Sequence, residues 1–214
     1  MPLVVPEVNG DGAFEHDGIV ANPNCCSIPL ALALAPLRDA AGLRRVRVAT
    51  YQSVSGAGSL AMEDLLQEAP SDHDLRMDWS FDGVELDEET KIRAETRKIL
   101  DTADLQVSVT CVRVPVLVGH AEAVWVETAE PLTAIEATEL LAGSPGLQHD
   151  EFPTPARSRD LDVALVGRIR DDSASENGLA FFLACDNLRK GAALNAIQIA
   201  EVLLDTPVPA ASRS

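Results

Sequence analysis

The sequence predicts an α+β domain, with helices over one face of a mixed sheet. Three observations lead there. The elements run as helix, strand, helix, helix, then mostly strands, then a closing helix. Of the 214 residues, 46% are hydrophobic, which is ample for a core without help from metals or disulfides. No internal repeat or long linker interrupts the chain, and 13 Gly with 13 Pro are near average usage, which excludes low-complexity readings.

Taken in order, residues 2–9 (PLVVPEVN) read as a strand running into a turn. Ser27–Ala41 reads as a helix of small and apolar residues, with Pro29 tolerated in its first turn, Gly42 as its stop and Pro36 as an expected kink. Residues 44–54 alternate like a strand and end at SGAG, and a helix follows over 60–69. After some fifteen polar residues beyond Pro70, Asp87 caps a helix over 88–100 whose acids come first and cations last. Residues 105–118 and 121–127, rich in Val and Thr, read as a strand pair around Gly119-His120. Ala134–Ala142 is a short helix; 162–170 and 179–185 are apolar strands separated by the turn-forming SASENG. An amphipathic helix over 192–204 closes a domain of residues 1–205, and 206–214 reads as a disordered tail.

Charge narrows the partners. Against 34 acidic residues stand 17 basic ones, only Lys91, Lys98 and Lys190 being lysines, for a net charge of -17. Nucleic acid and anionic membranes need a positive field, so neither is expected, and an anionic substrate must rely on a few local cations. The uncharged run 18–37 is long enough to suggest a membrane span, but Asn22-Pro23-Asn24, Pro29 and Pro36 break the backbone bonding that lipid demands. With no basic segment before it there is no signal peptide, so the expected location is the cytoplasm. Cys25, Cys26, Cys111 and Cys185 show no CxxC spacing and no nearby His pair, so no metal site is expected.

Chemistry concentrates in a few places. Cys25 stands in Asn22-Pro23-Asn24-Cys25-Cys26-Ser27 at a helix mouth, where unpaired N–H groups favour a thiolate; read alone, the two cysteines fit a buried apolar pair equally well. His120 lies at a strand end beside Gly119, a position from which a general acid or base reaches a cleft. Arg113, seven residues earlier, points to the opposite face of a regular strand unless Pro115 or Gly119 bends it. Residues 55–61 (SGAGSLA) fit G-x-G-x-x-A, yet SDHDLRMDWSFDG after the helix is no Rossmann strand, so that fold is rejected. Glu88 and Lys91 share a helix face, which alone reads as a surface ion pair.

Together PLVVPEVN, IVANPNCCSI, YQSVSGAG, EETKIRAETRKIL, TCVRVPVLVGHAE and DNLRKGAALNAIQIAE resemble the aspartate-semialdehyde dehydrogenase family, specifically its catalytic and dimerisation half. The resemblance runs from about Pro2 to Leu204. It implies a glyceraldehyde-3-phosphate-dehydrogenase-like C-terminal domain. It further implies NADP-dependent reductive dephosphorylation of β-aspartyl phosphate to aspartate semialdehyde, on the route to lysine, threonine and methionine. Cys25 would be the nucleophile, with Cys26 in the usual Ser or Thr place. His120 would be the acid/base and Gln52 would orient the substrate. Glu88 and Arg113 would hold the amino and carboxylate ends, Lys91 the phosphate, and Ser55, Gly56 and Asn187 would touch the cofactor.

The family's glycine-rich nucleotide-binding domain has no counterpart in these residues, and the stretch between Gln67 and Asp87 is shorter than usual. Three expectations follow. The chain is a fragment of a full enzyme with impaired activity alone; or a standalone domain that dimerises with a full-length relative or another chain supplying the nucleotide-binding domain; or a cofactor-free acyl-transfer protein using Cys25, His120 and Gln52. A homodimer through the sheet is expected.

Overall fold

The computed structural model describes residues 1–205, so the expectation for 206–214 lies outside the described residues. Six strands form one mixed sheet: β1 (Leu43–Gln52), β2 (Gln106–Arg113), β3 (His120–Thr128), β4 (Leu147–His149), β5 (Ala164–Asp171) and β6 (Gly178–Cys185). Their order is β2-β1-β3-β6-β5-β4, with β1–β2 and β4–β5 parallel and the other pairs antiparallel. Among the described residues seven α-helices accompany it: α1 (Pro6–Asn9), α2 (Ser27–Ala41), α3 (Ser59–Gln67), α4 (Asp87–Ile99), α5 (Ala134–Ala142), α6 (Pro155–Ser158) and α7 (Leu194–Asp205).

The core lies between the sheet and α2, α4 and α5. Alternate residues of the central strands, such as Val46 and Val48 of β1, Val124 and Val126 of β3 and Phe181 and Leu183 of β6, face these helices and are buried. Helix α2 is enclosed on every side from Ser27 to Ala35: Ile28, Leu30 and Leu34, with Leu37 beyond, are fully buried, each removing side-chain surface worth about 1.5–3 kcal/mol. Here is the physical reason for the uncharged run at 18–37. It is a core helix, and among the described residues no helix is long and apolar enough to cross a membrane. The sheet's other face presents Arg45, Arg47, Tyr51, Trp125, Glu127 and Phe182, which are exposed or half-buried.

The helices at Ser27–Ala41 and Ala134–Ala142 begin and end where the sequence puts them, with Gly42 (φ 64°) stopping the first and Thr133 capping the second. Helix α2 continues through Pro36. Three expectations need correction. Residues 2–9 are no strand: Leu3 makes one parallel bridge to Ala21, and Pro6 starts the helical turn α1. Asp87 does not cap α4; instead Glu89 reaches back to accept from the Leu86 N–H at 2.9 Å, so the cap lies one residue earlier. Strands β2 and β3 are not partners, because β1 lies between them. The long connection over 53–105 brings β2 parallel to β1 on one side, and the other edge of β1 is left for β3. The short β4 and α6 went unread in the polar stretch between α5 and β5.

Candidate active site

Three backbone features bring the chemical groups together. The Asn22-Pro23-Asn24 turn delivers Cys25 just ahead of α2, whose N-cap is Cys26. The C-terminal end of β1 runs through Gln52 into a 3₁₀ turn, Val54–Ala57. Between β2 and β3 the chain leaves the sheet over residues 114–119 and re-enters at Gly119 (φ 97°), a left-handed conformation that glycine adopts freely. This bend resolves the opposite-face problem. A Cβ on Gly56 would stand 3.1 Å from Arg113 Nη1 and 3.3 Å from His120 Nε2, so both side chains converge under that glycine.

Cys25 is half-buried, and the sulfurs of Cys25 and Cys26 and a ring nitrogen of His120 all lie within 4.8 Å of one another. The Cys25 thiol is held well below the usual thiol range, first by a hydrogen bond from Cys26 and then by the neighbouring His120, against the opposing effect of burial. Cys25 does stand at the helix mouth, but the neighbouring thiol and imidazole lower it more than the backbone N–H groups do. The other cysteines go the opposite way: burial pushes Cys111 up to about 12, and also raises Cys26 and Cys185. Of the four cysteines, only Cys25 is shifted toward the thiolate.

His120 is buried, and its Nδ1 lies 3.0 Å from the backbone N–H of Ser53 and 3.1 Å from Ser53 Oγ. An amide N–H can only donate, so Nδ1 is the accepting nitrogen and the neutral ring carries its proton on Nε2. That nitrogen has no hydrogen-bond partner in the described structure. The same fact opposes a metal at the two sulfurs and the ring, since a His that ligates through Nε2 carries its proton on Nδ1, where the amide already points its own.

Behind the ring, Asn187 Oδ1 accepts from Ser53 Oγ (3.1 Å), Ser55 Oγ (3.1 Å) and Gly119 N–H (2.9 Å), and Asn187 Nδ2 donates to Ser55 Oγ at 3.0 Å. Ser55 and Asn187, expected to touch a cofactor, are buried and bound to each other; they brace His120. Gly56 is exposed above His120 and Arg113, a flat surface that a side chain would fill. The N–H groups of Gly56 and Gly58 are spent on the carbonyls of Ser53 and Ser55, so SGAG is no phosphate cradle.

Below Cys25 a second network forms. Glu88 Oε1 accepts from Gln52 Nε2 at 3.1 Å and from Asn24 Nδ2 at 2.9 Å, and Asn24 Oδ1 accepts from the Cys26 N–H at 2.8 Å. Gln52 is 2% exposed and Glu88 9%, so Glu88 makes no surface ion pair with Lys91. Lys91 is exposed and makes no side-chain bond among the described residues, a free cation one turn from Glu88. Arg113 is buried and bonded to Asp78.

Sequence reasoning missed two residues. Glu122 shares the inward face of β3 with His120 and is 1% exposed, and neither carboxylate oxygen has a partner in the described structure. Burial, with some help from Cys25, pushes its carboxyl well above the usual range. Its signal in the sequence is an acid in phase with Val124 and Val126. Asp78 carries no comparable signal in its polar stretch.

Known proteins resemble this chain over most of its length. A family model described as "Semialdehyde dehydrogenase, dimerisation domain" matches residues 34–81 and 80–190. The aspartate-semialdehyde dehydrogenase of Aquifex aeolicus is 42% identical over 231 residues, covering 95% of this chain and 68% of its own length. Crystal structures of aspartate semialdehyde dehydrogenase II from Vibrio cholerae, alone and complexed with ASA, superpose with TM-scores of 0.90 and 0.89 at 40% identity, over 95% of this chain and 68% of theirs. The Candida albicans enzyme with NADP is 25% identical with a TM-score of 0.72, over 95% of this chain and 66% of its own. The chain therefore spans about two thirds of the length of these relatives.

Proposed function

Because the chain belongs to the aspartate-semialdehyde dehydrogenase family, we propose that Cys25 is the nucleophile of an NADP-linked interconversion of β-aspartyl phosphate and aspartate semialdehyde. One observation carries the reading: the single cysteine whose thiol is lowered lies beside a buried imidazole whose protonated nitrogen has no other partner.

In the biosynthetic direction the Cys25 thiolate attacks the acyl carbon of β-aspartyl phosphate. A carbon–sulfur bond forms, the bond to the phosphate oxygen breaks, and phosphate leaves toward Lys91. The His120 Nε2–H donates to the oxyanion that develops at the acyl carbon. After reduction, the tetrahedral centre on sulfur collapses: the carbonyl re-forms, the carbon–sulfur bond breaks, and His120 and the Cys26 thiol receive the thiolate as hydrogen-bond donors. Arg113 holds the substrate carboxylate and Glu88 its ammonium, while Gln52, already bonded to Glu88, orients the acyl group. NADP, when bound, supplies or accepts the hydride. Gly56, exposed and without a side chain, would leave the approach over His120 open to it, and Ser55 and Asn187 would influence it only through the ring they brace.

We further infer that residues 1–205 act as one catalytic and dimerisation domain, that the chain pairs as a homodimer through the open face of its sheet, and that it works in the cytoplasm. A chain or segment matching the remaining third of the relatives supplies the other cofactor contacts, so these 214 residues bind NADP weakly by themselves. The test needs no cofactor. Incubation with β-aspartyl phosphate places a hydroxylamine-labile aspartyl adduct on Cys25, seen by intact-mass and peptide mass spectrometry and lost in Cys25→Ser. No adduct, or one on another cysteine, refutes the proposal.

A further inference from the structure

Arg113 is held from three directions by the segment 76–79. Its backbone pairs with Arg76 in both senses, Arg76 N–H to Arg113 carbonyl at 3.0 Å and Arg113 N–H to Arg76 carbonyl at 2.8 Å. Its Nε lies 3.2 Å from each carboxylate oxygen of Asp78, and its Nη2 is 3.1 Å from Asp78 Oδ1. The guanidinium carbon sits 4.4 Å from the centre of the Trp79 ring. From the other side, Nη1 donates to the Ser53 carbonyl at 3.1 Å.

A guanidinium has five N–H donors in a fixed plane. Asp78 engages the Nε side, with Nη2 beside it, and Ser53 takes one hydrogen of Nη1. One N–H remains on each terminal nitrogen. That end of the group lies under Gly56, next to His120 Nε2. A planar, bidentate donor is what a carboxylate selects, and its value depends on the plane being fixed before the ligand arrives.

We propose that Asp78, with the Trp79 ring against the guanidinium, is a positioning residue that sets Arg113 to receive a substrate carboxylate through its terminal nitrogens, and so determines specificity for substrates bearing that group. This rests on the functional reading above. The opposing idea is that Asp78 is a competing carboxylate; the two differ in sign. A competitor's removal tightens binding of a carboxylate ligand, and a positioning residue's removal weakens it.

The experiment measures protection of Cys25 from iodoacetamide on the whole chain. The ligands are aspartate semialdehyde, which forms a hemithioacetal with the thiol, and 3-aminopropanal, which lacks the carboxylate. In the wild type the first protects at lower concentration. Asp78→Asn raises its half-protecting concentration by about tenfold, the loss expected for a misaligned charged hydrogen bond, and leaves 3-aminopropanal unchanged. Asp78→Glu recovers part of the difference, and unprotected alkylation rates equal to wild type show that each variant is folded. If the wild type discriminates but Asp78→Asn keeps or sharpens the discrimination, the positioning role is overturned and the functional reading stands. If the wild type does not discriminate, both fall.

Discussion

Replacing Cys26 by alanine tests what activates the thiol. Cys26 is fully buried, and its own thiol is pushed up by burial and by the charge on Cys25, so near neutral pH it keeps its proton and donates it to the neighbouring sulfur. This is the foremost cause of the lowered Cys25 thiol. Hydrogen bonds to charged groups are worth about 1.5–3 kcal/mol, and a thiol is a weak donor, so the lower end applies. A loss of about 1.4 kcal/mol is a factor of ten in the thiolate population wherever the thiol is part-ionised. Alkylation of Cys25 by iodoacetamide, followed across pH by mass spectrometry, should therefore slow about tenfold in Cys26→Ala on the rising limb of the profile and converge with wild type at high pH. Cys26→Ser keeps a donor, a stronger one, and should react at least as readily at low pH. If Cys26→Ala follows the wild-type profile throughout, Cys26 is merely a small buried residue, and His120 with the helix mouth must account for the activation.

Other outcomes are as definite. Glu122 has a raised carboxyl in the folded state, so the native protein holds this proton more tightly than the unfolded chain does; its contribution is fully present below the ordinary value of 4.5 and is lost as pH rises toward the raised one. Urea midpoints from pH 5 to pH 8 should fall more for wild type than for Glu122→Gln, and parallel curves would refute the assignment. Lys190 is 0% exposed and bonded to Glu7 (2.7 and 2.9 Å) and Gln198 (2.7 Å). Glu7→Ala strands that ammonium and should cost about 3–5 kcal/mol in urea unfolding, most of it recovered by adding Lys190→Met; an unrecovered double variant would show that Glu7 acts through packing. On the open sheet face, Trp125→Glu should convert a dimer to a monomer in light scattering without slowing Cys25 alkylation, and an unchanged mass would place the interface elsewhere.

How much of this was legible in the sequence follows from which forces act locally. Helix α2 was readable end to end, because an unbroken apolar run stopped by Gly42 is decided by neighbouring residues alone. Strands β2 and β3 were readable as strands, through their alternation, but not as non-neighbours: period two says that a strand has a buried face and nothing about which strand lies beside it. Cys25 and His120 could be singled out from their local setting, while the roles of Gln52, Glu88, Arg113 and Lys91 came from the resemblance; the structure gathers all of them but Lys91, which it leaves in solvent. Asp78 escaped notice because its significance comes from Arg113, 35 positions away. Ser55 and Asn187 were named for a cofactor, yet their first partners are each other, a pairing across 132 positions that no local pattern encodes.

That last pairing bears on when the protein becomes chemically dangerous to itself. The bracing of His120 depends on Asn187, and Gly191 packs so near that a Cβ there would lie 3.2 Å from the Cys25 carbonyl. Cys25 precedes Asn187 and Gly191 in the chain, so the thiol leaves the ribosome before the groups that brace its imidazole. The imidazole's share of the activation therefore arrives only once Asn187 has docked, whereas the share owed to the adjacent Cys26 does not wait for it.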